Sequence, residues 1–107
     1  MIQWRRRIYT NNVGLKLRRL RHRVERGKYV KDLYLITLAA NHEDQLDIVD
    51  NRYILQKAYR DRLPCIVGMA IGYSEAVELV GRMAYECLLQ TGNCSIREYL
   101  ESTMTNK

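Results

Sequence analysis

Hydrophobic residues recur at helical spacing near the start of the chain. Their separations of four, three and four residues place them on one narrow stripe of a helix, formed by Val13, Leu17, Leu20 and Val24. Asn11 or Asn12 can cap the start of this helix, and Gly27 lies where a left-handed residue commonly ends one. The pattern predicts an amphipathic helix over residues 12–26.

Two later segments, residues 32–40 and 65–71, carry apolar side chains in both alternating sets, as expected of strands covered on both faces. Residues 45–49 alternate between polar and apolar, which predicts a short edge strand. Residues 50–61 are ambiguous, and we favour a helix capped by Asp50. That helix is predicted to bury Ile54, Leu55, Ala58 and Tyr59.

The clearest helical signal follows the second of these strands. Ser74 is suited to cap the helix, and Gly92 is suited to end it. Gly81 lies inside the helix, where it costs about 1 kcal/mol relative to Ala, so it marks either a close crossing of another element or a tolerated defect. Ser95-Ile96-Arg97-Glu98 is a capping box and predicts a last helix over 96–103. The buried stripe of the longer helix is predicted to contain Ala76, Val80, Met83, Cys87 and Leu88.

These elements predict a small α+β fold in a single domain over residues 1–107. We expect two to three strands with helices packed on the sheet and a basic amphipathic helix at the N-terminus. A chain of this length has room for one core, and it gains from burying further surface against a second copy. A homodimer is therefore one candidate assembly.

Charge divides the chain into a basic arm and an acidic body. The whole chain has 18 Lys and Arg against 12 Asp and Glu, a net charge of +6. Residues 1–31 hold eleven basic residues and one acid, Glu25, a net +10, whereas residues 32–107 hold seven basic and eleven acidic residues, a net −4. The split predicts one cationic element that faces either a polyanion or the acidic part of its own fold or of a dimer partner.

Eight of the eleven cations in the arm are Arg, whose planar guanidinium binds phosphate through paired hydrogen bonds. Trp4 and Tyr9 flank a run of three arginines and are candidates for stacking on unpaired bases. An Arg-rich helix is equally typical of a solvated outer face, so both interpretations stay open. The candidate nucleic-acid or polyanion site consists of Arg5, Arg6, Arg7, Arg18, Arg19, Arg21, Arg23, Arg26, Trp4 and Tyr9.

We therefore expect a small non-enzymatic binding module whose arm contacts nucleic acid or another polyanion. The alternative is a protein–protein interaction or oligomerising domain, such as an accessory or inhibitor protein whose cationic face meets an acidic partner. The longest stretch without acidic or basic side chains, residues 63–74, is too short for a membrane span. With no apolar segment behind the first arginines, we expect a cytoplasmic chain with no membrane partner.

Two segments are weak candidates for chemistry. Gly68 and Gly72 lie between a strand and a helix but lack the spacing and the lysine of a phosphate-binding loop, which favours packing and turn roles. His42 and Glu43 follow the first long strand, where open sheets bind ligands, but adjacent residues on a strand point to opposite faces. A solvated loop formed by His42, Glu43, Asp44 and Asp47 is the favoured interpretation.

The three cysteines contain no C-x-x-C pair, so no metal or other cofactor is predicted. Cys65 and Cys87 are expected to be core residues, and Cys94 is expected to be the most exposed thiol.

Residues 34–39, 66–80, 91–92 and 96–100 resemble a set of short bacterial proteins of unknown function. In that set a strand, the pattern V-G-x-A-x-G-Y-x-E-A-x-x-L-V, a helix, T-G and R-E-Y follow in the same order, as they do here. The resemblance covers about residues 33–100 and leaves out the basic arm. It implies a bacterial cytoplasmic α/β domain and carries over no activity, cofactor or functional residue.

Overall fold

Residues 2–39, 45–92 and 95–104, described by a computed structural model, form one four-stranded mixed sheet with helices on both faces. The expected α+β fold is confirmed. In chain order the elements are β1 (Trp4–Asn11), a first 3-10 helix (Gly14–Lys16), α1 (Leu17–Glu25), β2 (Leu33–Leu38), β3 (Leu46–Asp50), a second 3-10 helix (Asn51–Leu55), α2 (Lys57–Arg62), β4 (Ile66–Ile71), α3 (Tyr73–Thr91) and α4 (Ile96–Met104).

The strands lie in the order β1-β4-β2-β3. β4 pairs in parallel with β1 and antiparallel with β2, and β2 pairs antiparallel with β3. The two long apolar strands are thus the inner pair, which explains why both of their faces are covered. β3 is an edge strand, as its alternating pattern predicts.

β1 is the element that the sequence does not predict. The expectation of two to three strands is wrong, because residues 4–11 of the predicted arm form a fourth strand beside β4. The five-residue step from Trp4 to Tyr9 corresponds to a two-residue step on β4, so this part of the ladder is irregular. The three arginines lie within that irregular stretch, at a sheet edge where charged side chains are tolerated. The basic helix is present as α1, but it follows β1 instead of leading the fold.

Two apolar clusters lie on opposite faces of the sheet. The cluster under α1, here called the α1 cluster, has as its buried members Val13, Leu20, Val24, Leu33, Leu35, Ile54, Ile66 and Met69. The cluster under α3 and α4, here called the α3 cluster, has as its buried members Ile36, Leu38, Cys65, Val67, Ala70, Ala76, Leu79, Met83, Cys87, Ile96 and Leu100. Leu35 and Ile36 of β2 point to opposite clusters, as alternation along a strand predicts. Along β4 the register shift against β2 interrupts the alternation, so Ile66 and Met69 share the α1 cluster.

α1 is shorter than the predicted helix over 12–26. Asn12 and Gly14 adopt left-handed conformations with φ of 61° and 58°, so the chain turns before the helix begins. The predicted capping by Asn11 or Asn12 is wrong: the residue before the helix is Lys16, and it makes no side-chain cap. Gly27 follows the helix at φ 69° and donates its N–H to the carbonyl of Val24, as expected of a helix stop.

Residues 50–61 form two short helices instead of one. Extended backbone at Gln56 separates the second 3-10 helix from α2. The Asp50 side chain accepts a hydrogen bond from the backbone N–H of Arg52, which confirms the predicted cap. Of the four residues predicted to be buried here, only Ile54 is buried. Leu55 is exposed beside it on the 3-10 helix, and Ala58 and Tyr59 are exposed on α2, beyond the break at Gln56.

α3 begins one residue before its predicted cap. Gly72, at φ 99°, precedes the helix, and Ser74 lies in its first turn, so the predicted Ser74 cap is wrong. Gly92 ends the helix as predicted, at φ 78° and with its N–H on the Leu88 carbonyl. Leu88, predicted to be buried, is 43% exposed, whereas Leu79, which was not predicted to be buried, is 1% exposed. α4 matches its prediction to within one residue.

Replacing Gly81 by Ala is expected to raise the free energy of unfolding by about 1 kcal/mol, since Ala is the better helix former. Nothing lies within 4 Å of a Cβ built at Gly81, so no close crossing occurs within the described chain and the methyl group meets no obstacle. Urea unfolding at low micromolar concentration measures the change. Gly92→Ala is the matched control and is expected to destabilise, because Gly92 is left-handed. A loss of stability in Gly81→Ala would contradict this account.

Candidate polyanion-binding surface

The outward side of α1 is almost entirely cationic. Leu20 and Val24 point into the α1 cluster, and Leu17 packs against it, so the rest of the helix surface faces outward. We call this surface the cationic face; its exposed basic residues are Lys16, Arg18, Arg19, Arg23 and Arg26.

Most of these cations are not neutralised by neighbouring acids. In the described chain, Arg21 pairs with Glu25 at 3.3 Å, one helical turn apart. The other exposed arginines of α1 and its C-terminal flank have no acidic partner among residues 2–39, 45–92 and 95–104; they are Arg18, Arg19, Arg23 and Arg26. Four uncompensated guanidinium groups within nine residues therefore project from one side of the fold.

The acidic helices lie on the other side of the sheet. α3 and α4 together hold five acidic and two basic residues, a net −3, whereas residues 16–26 hold six basic residues and one acid, a net +5. Because α1 and α3 cover opposite faces, the cations of α1 do not dock on the acidic helices of their own chain. This excludes docking of α1 on the acidic helices of its own chain, and docking on a dimer partner stays a prediction.

Arg5 and Tyr9 belong to the acidic side. Tyr9 packs against the α3 cluster, and its hydroxyl donates a hydrogen bond to Glu86 of α3. The guanidinium carbon of Arg5 lies 5.3 Å from the centre of the Tyr9 ring. Burial, and then the hydrogen bond to Glu86, raise the pKa of Tyr9. Burial also raises the pKa of the nearby Cys65 thiol. The structure therefore separates Arg5 and Tyr9 from the cationic face.

Trp4 lies on the α1 side but is half-buried. It packs against the α1 cluster, and the guanidinium carbon of Arg21 lies 4.7 Å from its ring, at cation–π distance. One face of the indole is therefore already occupied by Arg21. Arg6 and Arg7 are exposed on β1, and the Arg7 carbonyl accepts a hydrogen bond from Arg5. Base stacking by Trp4 and Tyr9 stays a prediction.

α2 carries basic residues that are not part of the polyanion site predicted from the sequence. A Cβ built on Gly27, just after α1, would collide with the Arg60 guanidinium, so this side chain reaches from α2 to the end of α1. Arg60 donates a hydrogen bond to the Ile54 carbonyl at 3.1 Å. Lys57 and Arg62 are exposed on the same short helix. The close spacing of Lys57, Arg60 and Arg62 in the sequence indicates a second basic group. The net charge of −4 over residues 32–107 conceals it when charge is counted by segment.

The other sequence candidates form no site in the described chain. His42, Glu43, Asp44 and Cys94 lie outside the described residues, and Asp47 is half-buried on β3. Among the described residues no three His, Cys, Asp or Glu side chains are grouped closely enough to hold a metal ion. Two neighbouring open clefts, of about 550 and 370 Å³, share the edge-to-face rings of Tyr53 and Tyr59.

None of the described helices is both long enough and apolar enough to cross a bilayer. Comparison of the chain with protein-family models, with curated proteins and with solved structures finds no match to any of them.

Proposed function

We propose that the protein is a small non-enzymatic binding module whose cationic face contacts nucleic acid or another polyanion. The observation that supports the proposal is the set of uncompensated arginines on α1. Arg18, Arg19 and Arg23 are exposed, they have no acidic partner in the described chain, and hydrophobic contacts beneath them hold the helix on the sheet. We place the module in the cytoplasm, where a buried thiol such as that of Cys65 stays reduced.

Arginine suits this role on a rigid helix. Its guanidinium donates two parallel hydrogen bonds to a phosphate, and it stays charged at every physiological pH. The nine residues of α1 extend about 13 Å, a length that spans several phosphates of a nucleic-acid backbone. Contacts of this kind position a ligand without reading its sequence, so we expect little base preference.

Titration with a labelled duplex and a labelled single strand at 50–200 mM salt tests the proposal. Four phosphate contacts predict a log–log slope of about −3.6 for the duplex. That slope corresponds to a loss of roughly 150-fold in affinity across the salt range. A Kd weaker than about 10⁻⁴ M throughout would exclude nucleic acid as the ligand.

Competition in the same titration distinguishes nucleic acid from the alternative partner, an acidic protein. Polyglutamate presents carboxylates on a flexible chain, as an acidic protein surface does, but it offers no phosphate and no bases. We expect it to displace the labelled duplex only at much higher charge concentration, because the duplex has the denser charge and releases condensed counterions when it binds. Equal displacement by polyglutamate would instead favour an acidic protein as the partner.

A further inference from the structure

α3 carries a row of strongly exposed apolar side chains, of which Tyr73 also makes an edge-to-face contact with Tyr34 of β2. Every fourth residue from Tyr73 to Leu89 lies on this row, which spans about 24 Å of helix. The side chains are strongly exposed, at 59% for Tyr73, 48% for Val77, 63% for Tyr85 and 65% for Leu89. Gly81 is the middle member.

The row is symmetric about Gly81. Large side chains stand four residues away on either side, as Val77 and Tyr85, and eight residues away, as Tyr73 and Leu89. A two-fold axis at Gly81 would bring residues at equal distances on its two sides together, so this arrangement pairs each large apolar side chain with another one. A row at every fourth position is also one of the ridges through which helices pack on each other.

No contact among residues 2–39, 45–92 and 95–104 explains why a glycine stands at position 81 of a long helix. Its surroundings are open, since nothing lies within 4 Å of a Cβ built there. A glycine at the middle of a ridge does permit close approach of another helix, because no side chain keeps the two backbones apart. Of the two alternatives that the sequence left open, a tolerated defect and a close crossing, the second would require another molecule.

The charges beside the row favour a reversed copy of the same helix over an unrelated partner. Glu78 and Arg82 lie one turn apart along one border of the row, close to Gly81. When two copies of α3 run antiparallel about Gly81, Glu78 of one copy comes beside Arg82 of the other, and the reverse pair forms as well. The two borders therefore attract each other.

We propose that the protein is a homodimer in which two α3 helices cross antiparallel at Gly81. Val77 of one copy packs against Tyr85 of the other, and Tyr73 packs against Leu89. Because α3 and α1 cover opposite faces of the sheet, the two cationic faces stay accessible on the outside of the dimer.

Sedimentation equilibrium of the full chain over about 1–500 µM tests the assembly. We expect a monomer–dimer equilibrium in the wild type and a Kd raised about 10-fold or more in Gly81→Arg, which places two like charges at the crossing. Gln90→Arg is the matched control: Gln90 is exposed, and nine residues along the helix place it on the side opposite Gly81. A wild type that stays monomeric at every concentration, or a Gly81→Arg variant that dimerises like the control, would overturn the proposal.

Cross-linking tests the symmetry without depending on affinity. In a Cys94→Ser background, Gly81→Cys is expected to give a covalent dimer on mild oxidation, because a two-fold axis brings position 81 of both copies together. Gln90→Cys should remain monomeric under the same conditions. Cross-linking at position 90 in preference to position 81 would show that the copies meet through another surface.

Discussion

Replacing Asn51 with Ala is expected to lower the free energy of unfolding by about 3 kcal/mol, since three side-chain hydrogen bonds to the backbone are lost, one of them buried and two partly buried. Asn51 is fully buried at the start of the second 3-10 helix. Its side-chain oxygen accepts from the N–H of Val30, and its amide nitrogen donates to the carbonyls of Val30 and Leu33, each at 2.7 Å. The Leu33 carbonyl is the buried partner, so losing its bond costs most, whereas the Val30 carbonyl still accepts from the N–H of Leu33.

The effect is expected to extend beyond the site itself. Asn51 fastens the segment between α1 and β2 to the end of β3, and this segment fixes where α1 leaves the sheet. A loss of 3 kcal/mol corresponds to a fall in Tm of about 15 °C for a domain of this size. Thermal unfolding followed by circular dichroism measures it directly.

Asn11→Ala is the matched control for this prediction. The Asn11 amide also donates two hydrogen bonds, to the carbonyl and the carboxylate of Glu75, but the site is only partly buried. Water can replace those bonds, so we expect a loss of about 1 kcal/mol. Equal losses in the two variants would show that burial of the Asn51 network contributes nothing special to stability.

The sequence predicts those elements whose pattern does not depend on distant partners. β2 and β4 are recognisable because apolar residues fill both alternating sets, and α3 because its inner side repeats at helical spacing. The hydrophobic pattern does not predict that Asn51 is buried, since a single amide in an ambiguous segment does not indicate which backbone groups it will contact.

β1 could not be found in the same way. Its partner β4 lies some 60 residues further along the chain, and the irregular pairing between Trp4 and Tyr9 interrupts the alternation that marks a strand. The strand β1 also divides the candidate site. A continuous arm presents all its arginines together, whereas strand and helix place Arg5 and Arg18 on opposite sides of one sheet.

The double variant Arg18→Gln/Arg19→Gln is expected to weaken duplex binding about 60-fold at 100 mM salt, and to make the log–log slope shallower by about 1.8. Each lost phosphate contact costs about 8-fold at this salt concentration, because one fewer counterion is released. Both residues are exposed and unpaired in the described chain, so the fold should keep its stability. Fluorescence anisotropy at several salt concentrations measures both quantities.

A control of equal net charge decides whether position or total charge matters. Ser74→Glu/Gln90→Glu also lowers the net charge by two, but on α3, across the sheet from the cationic face. Charges at that distance are largely screened at 100 mM salt, where the Debye length is about 10 Å, so we expect a change of about 3-fold or less. If both double variants lost affinity equally, binding would follow the total charge of +6 and the cationic face would have no special role. If only the arginine variant loses affinity, the ligand lies on α1.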